Sequence, residues 1–382
     1  MKILLTGIDG YSGWPLALAI SKKFKNFQII GVDNLMRRKW VEECKAVSAI
    51  PIASMKTRIN TAKRIGFKNI KFIKGDLSNA YFVENLFKKY KFNIVIHLAS
   101  QPSAPYANSS LKRASFTLKN NQLSTLNIIW SIKKFCDKNT KFIFTSTTGV
   151  YGQPNFKIPE GFVTAENQKI KDSLPFSQLG GSWYHITKSN DINNLLLANR
   201  LWGLKVLDLR TAIIYGTETA ETSMHKNLNT RFDFDYNFGV VINRFCAMSA
   251  INNDVTVYGK GLLKRPFISL SDFINSIINL INYKQTQSFE VFNQTTELLG
   301  IKFLGETIVK ESQKLGLISK VRNIKNPRVE KETHQMQMTN TRFLKLLRTK
   351  PVIFSKECKK ILKKLIQYNS IIKKNKKTFI KI

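Results

Sequence analysis

Apolar positions in the first half of the chain fall into short unbroken runs, separated by longer stretches in which they recur every three or four residues. The runs are Lys2–Thr6, Gln28–Val32, Ile70–Lys74, Ile94–Leu98 and Lys141–Thr145, rich in Ile, Val and Phe. Strands read this way when both faces of a parallel sheet are covered. The stretches Ser12–Phe24, Ala80–Tyr90, Gln122–Cys136 and Tyr184–Trp202 carry the helical period. Strands alternating with helices imply βαβ units joined by right-handed crossovers. A sixth strand is expected at Lys205–Leu209, running on to Ile213–Tyr215. The pattern predicts an α/β fold, a doubly wound parallel sheet spanning residues 1–216.

Beyond Gly216 the pattern changes. Thr217–Gly239 is polar and mixed and reads as an irregular loop. Val240–Ala250, Val255–Tyr258, Ser271–Ile281 and Glu290–Asn293 mix helical and strand-like pieces, and from Phe303 the chain reads as helical and rich in Lys. Lys359–Lys377 holds a Lys pair every few residues. It reads as a solvated terminal helix, with a membrane-surface helix as the alternative. No internal repeat or low-complexity linker interrupts the chain. Residues 217–382 are therefore expected to form a smaller substrate-binding cap, partly interleaved with the first domain and ending in a Lys-rich tail.

Composition narrows the function. The 382 residues carry a net charge of +36, which invites a nucleic-acid reading. Against it, 43% of residues are hydrophobic and 26 are Phe, unlike a disordered basic tail. The cations are 47 Lys and only 14 Arg, whereas specific nucleic-acid surfaces lean on Arg. No RNA-binding aromatic motif or helix-turn-helix pattern is visible, so a non-catalytic basic binding protein ranks second to an enzyme. Cys44, Cys136, Cys246 and Cys358 lie far apart without a C-x-x-C pair. That argues against a disulfide framework or a zinc site. No apolar run reaches the roughly 18 residues of a membrane span, and the N-terminal run is too short for a signal-peptide core. A cytoplasmic protein without bound metal or integral membrane association is expected.

The first motif with chemistry is Gly7-Ile8-Asp9-Gly10-Tyr11-Ser12-Gly13, between a predicted strand and a predicted helix. Such glycines allow a tight turn and close backbone approach to a pyrophosphate, which the helix N-terminus then receives. Asp33 ends the next strand, where an acidic residue accepts hydrogen bonds from an adenosine ribose. The fold expectation sharpens to a Rossmann-type sheet binding NAD. An acid at this point disfavours the extra phosphate of NADP, although Arg37 and Arg38 follow shortly. Asn34 and Arg37 join Asp33 as cofactor candidates. Asp76, beside Leu77, closes the third strand and suits both capping of the next helix and contact with an adenine.

The second motif is Tyr184-His185-Ile186-Thr187-Lys188. Tyr and Lys four residues apart share a helix face. A phenol next to an ammonium and a nicotinamide cation should titrate below its ordinary value near 10. It can then remove a proton from a sugar hydroxyl. The pair gains meaning from Thr145–Gly152 upstream, a hydroxyl-rich strand end. There Thr147 can position the reacting hydroxyl.

In this order the motifs resemble the extended short-chain dehydrogenase/reductase superfamily, the nucleotide-sugar epimerases and dehydratases, from Met1 to about His334. His97–Ser100, Tyr215-Gly216 and Arg265–Ile268 with Asp272 add to the match. A narrower resemblance is to the UDP-sulfoquinovose synthase family. It rests on Gly7–Trp14, Val32–Arg38, Pro51–Ser54, Ser103–Tyr106, Met224-His225, Asn243–Cys246, Thr256–Gly261, Val291–Gln294 and Asn326–Glu330. The resemblance implies tightly held NAD and a reaction of UDP-glucose with sulfite through a 4-keto intermediate. Tyr184 would be the base, Thr147 would hold the 4-hydroxyl, and Lys188 would hold the nicotinamide ribose. Leu98 and Asn121 would contact the cofactor, and Gln101, Asn120, Arg244 and Arg265 the UDP-sugar. His225 is a candidate proton carrier, and a homodimer formed through a helix pair is implied by analogy. Three positions depart from the family pattern: Pro102 where the family has Arg, Val150 where it has an acid, and Arg210-Thr211 where it has Asn-Gln. They leave a UDP-sugar 4-epimerase or 4,6-dehydratase as the alternative.

Overall fold

The computed structural model describes residues 1–152, 154, 156–167, 170–175, 180–325 and 336–380. The stretch Asn326–Glu330, part of the resemblance above, lies outside them. Seven strands form one parallel sheet: β1 (Lys2–Thr6), β2 (Gln28–Asp33), β3 (Ile70–Lys74), β4 (Ile94–His97), β5 (Lys141–Thr147), β6 (Lys205–Thr211) and β7 (Phe289–Gln294). Their order is β7-β6-β5-β4-β1-β2-β3. The chain winds outward from β1 to β3, then returns to β4 on the other side. That reversal opens a crevice at the C-terminal ends of β1 and β4, where doubly wound sheets bind ligands. The register puts Thr6 opposite Val32 and His97, and Thr147 opposite Thr211.

The unbroken apolar runs exist because both sheet faces are covered. Ile3, Leu5, Ile96 and Leu207 face a layer formed by the helices Gly13–Lys23 and Leu270–Ile281. Leu4, Ile30, Val95, Phe142 and Phe144 face the helices Ala80–Tyr90, Leu111–Phe135 and Trp183–Trp202. Each fully buried Leu, Ile or Phe contributes about 1.5–3 kcal/mol relative to exposure. Serine caps fix several of the helix starts. Ser182 Oγ accepts from His185 N at 3.1 Å, which places Tyr184 in the first turn of its helix. Gly203, at φ +71°, ends that helix in the left-handed region.

Some boundaries differ from the pattern. The helix expected to begin at Gln122 begins at Leu111, behind a Ser110 cap. Its first turns bury Ala114, Thr117 and Asn121, small or polar residues that leave no hydrophobic period. Helices at Met36–Glu43 and Met55–Ile65 and a hairpin of Phe162–Asn167 with Ile170–Pro175 also went unmarked by periodicity. Ile213–Tyr215 does not extend β6 within the main sheet. It joins a second, three-stranded sheet with Lys264–Ser269 and Glu297–Gly300.

The stretch after Gly216 returns to the first layer system three times. Leu270–Ile281 packs beneath β1, β7 pairs with β6 from Phe289↔Val206 to Gln294↔Thr211, and the helix Thr341–Leu347 buries Phe343 and Leu346 in the same core. Most of the rest gathers around Val241–Ala250, Ile301–Gln313 and the tail helix Phe354–Ile366. The tail differs from a plain solvated helix. Phe354, Cys358, Ile361, Leu362 and Leu365 are at most 1% exposed inside this second core, while Lys356, Lys359, Lys360 and Lys363 point outward. Hydrophobic residues at i, i+4, i+7 and i+8 seat one face and leave the Lys face in water.

Candidate active site

A cleft of about 550 Å³ runs across the C-terminal ends of β1, β2, β4 and β5. Gly7, Gly10, Tyr11, Asp33, Asn34, Asp76, Leu77 and Leu98 line one end, and Thr147, Asn120 and Tyr184 the middle. Arg244 and Arg265 line the opposite wall.

The glycine turn has the shape that its sequence implies. Gly7 adopts φ +73°, and a Cβ there would lie 3.0 Å from Ala99 Cα. A Cβ on Gly13 would overlap the Gly7 carbonyl oxygen. Only hydrogen fits at either position, so the helix Gly13–Lys23 starts tight against β1. Ser12 makes no side-chain cap, leaving the first amides of that helix free of one. Asp33 accepts from Asp9 N at 3.0 Å and Leu35 N at 2.7 Å. Burial, then the Asp9 carboxylate, push its carboxyl up to about 6.

The remaining predicted cofactor residues divide. Asp76 Oδ1 accepts from Ser78 N and Oγ in a tight turn, and Asn79 is the residue that caps the next helix. Asp76 itself stays exposed at the cleft. Tyr11 donates to Gly216 O at 2.7 Å, tying the glycine turn to the end of the second sheet's first strand. Arg37 turns toward the second half: Nη2 lies 2.6 Å from Asp233 Oδ2, and the guanidinium stacks 3.9 Å from the Phe238 ring. Asp9 is 1% exposed, bound by Arg38 through two hydrogen bonds and by Arg58 at 3.0 Å. It organises the turn from behind the wall.

Like Asp9, three further predicted residues stand behind the cleft rather than on it. Gln101 is fully buried; its amide donates to Ser103 O and Thr117 Oγ1, and its carbonyl accepts from Ser103 N. Its hydrogen bonds are made inside the β4–helix loop. Asn121 is likewise spent: it donates to Gln101 O and Thr187 Oγ1 and accepts from Gln101 N and Asn120 Nδ2. It clamps two helices and a loop together, while its neighbour Asn120 faces the cleft. Lys188 is 2% exposed and sits 4.6 Å above the Phe144 ring.

Electrostatics differ from the expectation of a depressed phenol. Burial, followed by the Asp191 carboxylate, holds Tyr184 well above its ordinary value. Burial also lowers Lys188, opposed by Asp191 and Asp208, and pushes Asp191 up to about 7. In the chain alone, desolvation outweighs any pull of Lys188 on the phenol.

Several cleft residues carried no sequence signal. His185 lines the cleft beside Tyr184, their rings 5.3 Å apart. Burial holds it down at about 4, and its Nδ1 has no partner among the described residues. Arg231, Asp233, Tyr236 and Phe238 come from the stretch read as an irregular loop, where dense aromatic and charged residues were the available hint. His225, by contrast, accepts from Asn227 N at 3.0 Å as the cap of a short turn. On the far wall Arg244 is 4% exposed and donates to Tyr258 Oη at 3.3 Å. Arg265 Nη1 is buried without a partner among the described residues.

The GDP-mannose 4,6 dehydratase family profile matches residues 4–178. The UDP-sulfoquinovose synthase of Sulfolobus acidocaldarius is 38% identical over 336 residues, 87% of this chain and 84% of that one. The chloroplastic UDP-sulfoquinovose synthase of Spinacia oleracea is 36% identical over 346 residues, 90% of this chain and 71% of that one. The chain belongs to the UDP-sulfoquinovose synthase family. The fold agrees with solved structures. One is a Thermotoga maritima UDP-glucose 4-epimerase with UDP-glucose, at TM-score 0.69 and 21% identity, covering 97% of this chain and 100% of that one. Another is a Bacillus cereus UDP-glucuronic acid 4-epimerase with UDP-glucuronic acid and NAD, at TM-score 0.69 and 20% identity, covering 97% and 100%.

Against the UDP-sulfoquinovose synthase pattern, the three departures fall in different places. Pro102 lines the cleft. Val150 is fully buried in the core behind the Tyr184 helix. Arg210 is 1% exposed, paired with Asp208 at 3.1 Å and stacked 4.7 Å from Tyr151. It packs beneath the strand end.

Proposed function

We propose that this chain is an NAD-dependent enzyme that makes UDP-sulfoquinovose from UDP-glucose and sulfite. The carrying observation is one cleft that holds the glycine turn, Asp33, Thr147 and Tyr184 on the ends of a parallel sheet, in a chain of this family. The turn fits a dinucleotide: Gly7 and Gly13 admit no side chain, which closes the turn and seats the helix start against β1, and Gly10 lines the cleft where a pyrophosphate would approach. Gly10, Tyr11, Asp33, Asn34, Asp76, Leu77 and Leu98 would hold its adenosine and phosphates. When bound, NAD would supply reversible hydride transfer at the sugar 4-position.

Tyr184 takes the proton of the 4-hydroxyl, and the Thr147 hydroxyl orients that group. Thr147 is itself fixed, its Oγ1 accepting from Gly149 N at 3.1 Å. Lys188 and Asn121 support this wall from behind, and Asn120 faces the sugar. The 4-ketone acidifies the neighbouring carbon, water leaves from the 6-position, and sulfite adds to the alkene. His185, neutral and beside Tyr184, suits the base that takes the proton from the carbon next to the ketone and then passes it to the departing 6-hydroxyl, which leaves as water. Arg244 and Arg265 face the UDP phosphates, where a guanidinium fork fits.

Pro102 favours a second reading, because it removes a cation from the wall that would meet sulfite. UDP-glucose, sulfite and NAD are incubated with the enzyme and the nucleotide sugar is read by mass. A sulfonated product supports the first reading; a 4-epimer or 4-keto-6-deoxy product sinks it and supports the epimerase or dehydratase alternative.

A homodimer follows from an exposed apolar stripe on two packed helices. Leu123 (42%), Leu126 (37%) and Trp130 (53%) lie on one, Leu197 (44%) and Leu201 (63%) on the other. Replacing Leu126 and Leu201 by Glu should yield monomers in light scattering; an unchanged mass overturns the dimer face. The four free cysteines fit a reducing compartment such as the cytoplasm. Among the described residues no helix is long and apolar enough to cross a membrane.

A further inference from the structure

The loop Thr230–Val240 forms much of the second cleft wall without regular secondary structure of its own. Its first half is tied to the NAD-binding side. Arg58 donates to Asn229 O at 2.6 Å, and Phe232 exchanges hydrogen bonds with Ser48 Oγ (2.8 Å) and Ala49 N (2.9 Å). Arg37 grips Asp233. Its apex is held differently. Tyr236 N donates to Thr378 O at 2.7 Å, and the Phe234 ring meets Phe379 edge-on at 5.6 Å. Both partners lie at the far end of the Lys-rich tail.

The tail end is itself anchored. Ile372 is fully buried, Phe379 is 4% exposed, and Thr378 bonds back to Asn375 O through N (3.0 Å) and Oγ1 (2.8 Å). Past Tyr236 the loop is pinned by Ser103 Oγ donating to Asn237 O, then runs directly into the helix Val241–Ala250 that carries Arg244. A shift of the apex therefore displaces Tyr236 and the start of the Arg244 helix together, and leaves Gly7, Asp33 and Tyr184 in place.

We infer that the C-terminal residues 376–379 are a positioning clamp for the nucleotide-sugar wall of the cleft, acting through Tyr236 N and Phe234. The inference rests on the reading of that wall as the UDP-sugar site. It assigns the end of the tail a role in substrate binding, distinct from the hydride and proton chemistry on the opposite wall. The tail's lysines are then the solvated outer face of a segment retained for its inner one.

The test is Phe379→Ala in the full chain. Amides 232–239 should exchange with solvent roughly tenfold faster, the KM for UDP-glucose should rise roughly tenfold, and kcat and retained NAD should stay within about twofold. If Phe379→Ala does not fold, Phe379→Leu keeps most of the buried volume and loses the ring contact, so the same segment should still exchange several-fold faster. Unchanged exchange across 232–239, a fall in kcat at constant KM, or loss of NAD overturns the clamp. If the wild-type chain does not turn over UDP-glucose, the proposed function fails, and the exchange measurement still decides the clamp.

Discussion

The two walls of the cleft are built by opposite means. The wall proposed to hold NAD is mostly local: Gly7 to Gly13, Asp33, Leu98 and Thr147 sit at strand ends fixed by the parallel register of their neighbours, with one long tie from Tyr11 to Gly216. The wall proposed to face UDP is assembled from a loop at 230–240, a helix at 241–250, a strand at 264–269 and the end of the tail. Its geometry comes from contacts between residues more than a hundred positions apart, such as Arg37 with Asp233 and Tyr236 with Thr378. The first wall is rigid because strand ends cannot move without breaking the sheet. The second holds its shape only while distant segments stay docked.

The largest effect expected is on the first wall. Tyr184→Phe should lower kcat by roughly 10²–10⁴-fold, the usual range for a positioned acid–base group. Melting temperature and bound cofactor should not change, since among the described residues no hydrogen bond depends on the phenol. Residual activity near wild type would dissolve the distinction between a catalytic wall and a binding wall. The second wall should instead be sensitive to its core. Leu362 is fully buried in the tail helix, and Leu362→Ala should cost about 2–5 kcal/mol in urea unfolding. A cost below about 0.5 kcal/mol would mean that the tail is ornamental and the comparison is misdrawn.

Asp33 tests the first wall through pH. Its carboxyl sits at about 6 in the folded chain against an ordinary 3.8, so the folded state holds its proton longer than the unfolded one. Stability contributed by this group is present below about pH 4 and is lost as pH rises through about 6. The stability of wild type relative to Asp33→Asn should fall across that window in urea titrations at several pH values. A difference that is flat, or that rises, would show that the carboxylate is better solvated than the turn implies. The smallest effect belongs to the surface. Lys134 pairs with Glu84 at 3.2 Å, both groups about half exposed. Lys134→Ala should change unfolding free energy by less than about 0.5 kcal/mol, and a larger loss would require the charged coat to be treated as structure.

This contrast also explains what could be read without coordinates. Six strands of the main sheet, the glycine turn, Asp33 and the Tyr184 helix were legible because each is encoded within a dozen residues. A buried parallel strand is a short apolar run, and a turn that excludes Cβ is a glycine. The start of the helix at Leu111 was not legible, because Ala114, Thr117 and Asn121 bury a polar face. The inward turn of Gln101 and Asn121 was hidden for a related reason. An amide can satisfy either a substrate or a loop, and residue type does not say which. The loop 230–240 read as irregular, which it is, but its place on the cleft depends on Ser48, Arg58 and Thr378. Those partners are too far away in sequence for any local pattern to carry. The tail read as a solvated surface because Lys dominates its composition, while the five apolar positions on its inner face decide its fold.

The seventh strand gives the sheet a schedule as well as a shape. β7 ends at Gln294, so β6 keeps an open, hydrogen-bond-hungry edge until more than three quarters of the chain has left the ribosome. At synthesis rates of roughly 5–20 residues per second, the nascent protein spends several seconds with an unpaired edge that invites pairing with another chain. Overexpression at high temperature should therefore lose material to aggregation during translation rather than after it, and slowing initiation should recover more soluble protein than stabilising the finished fold.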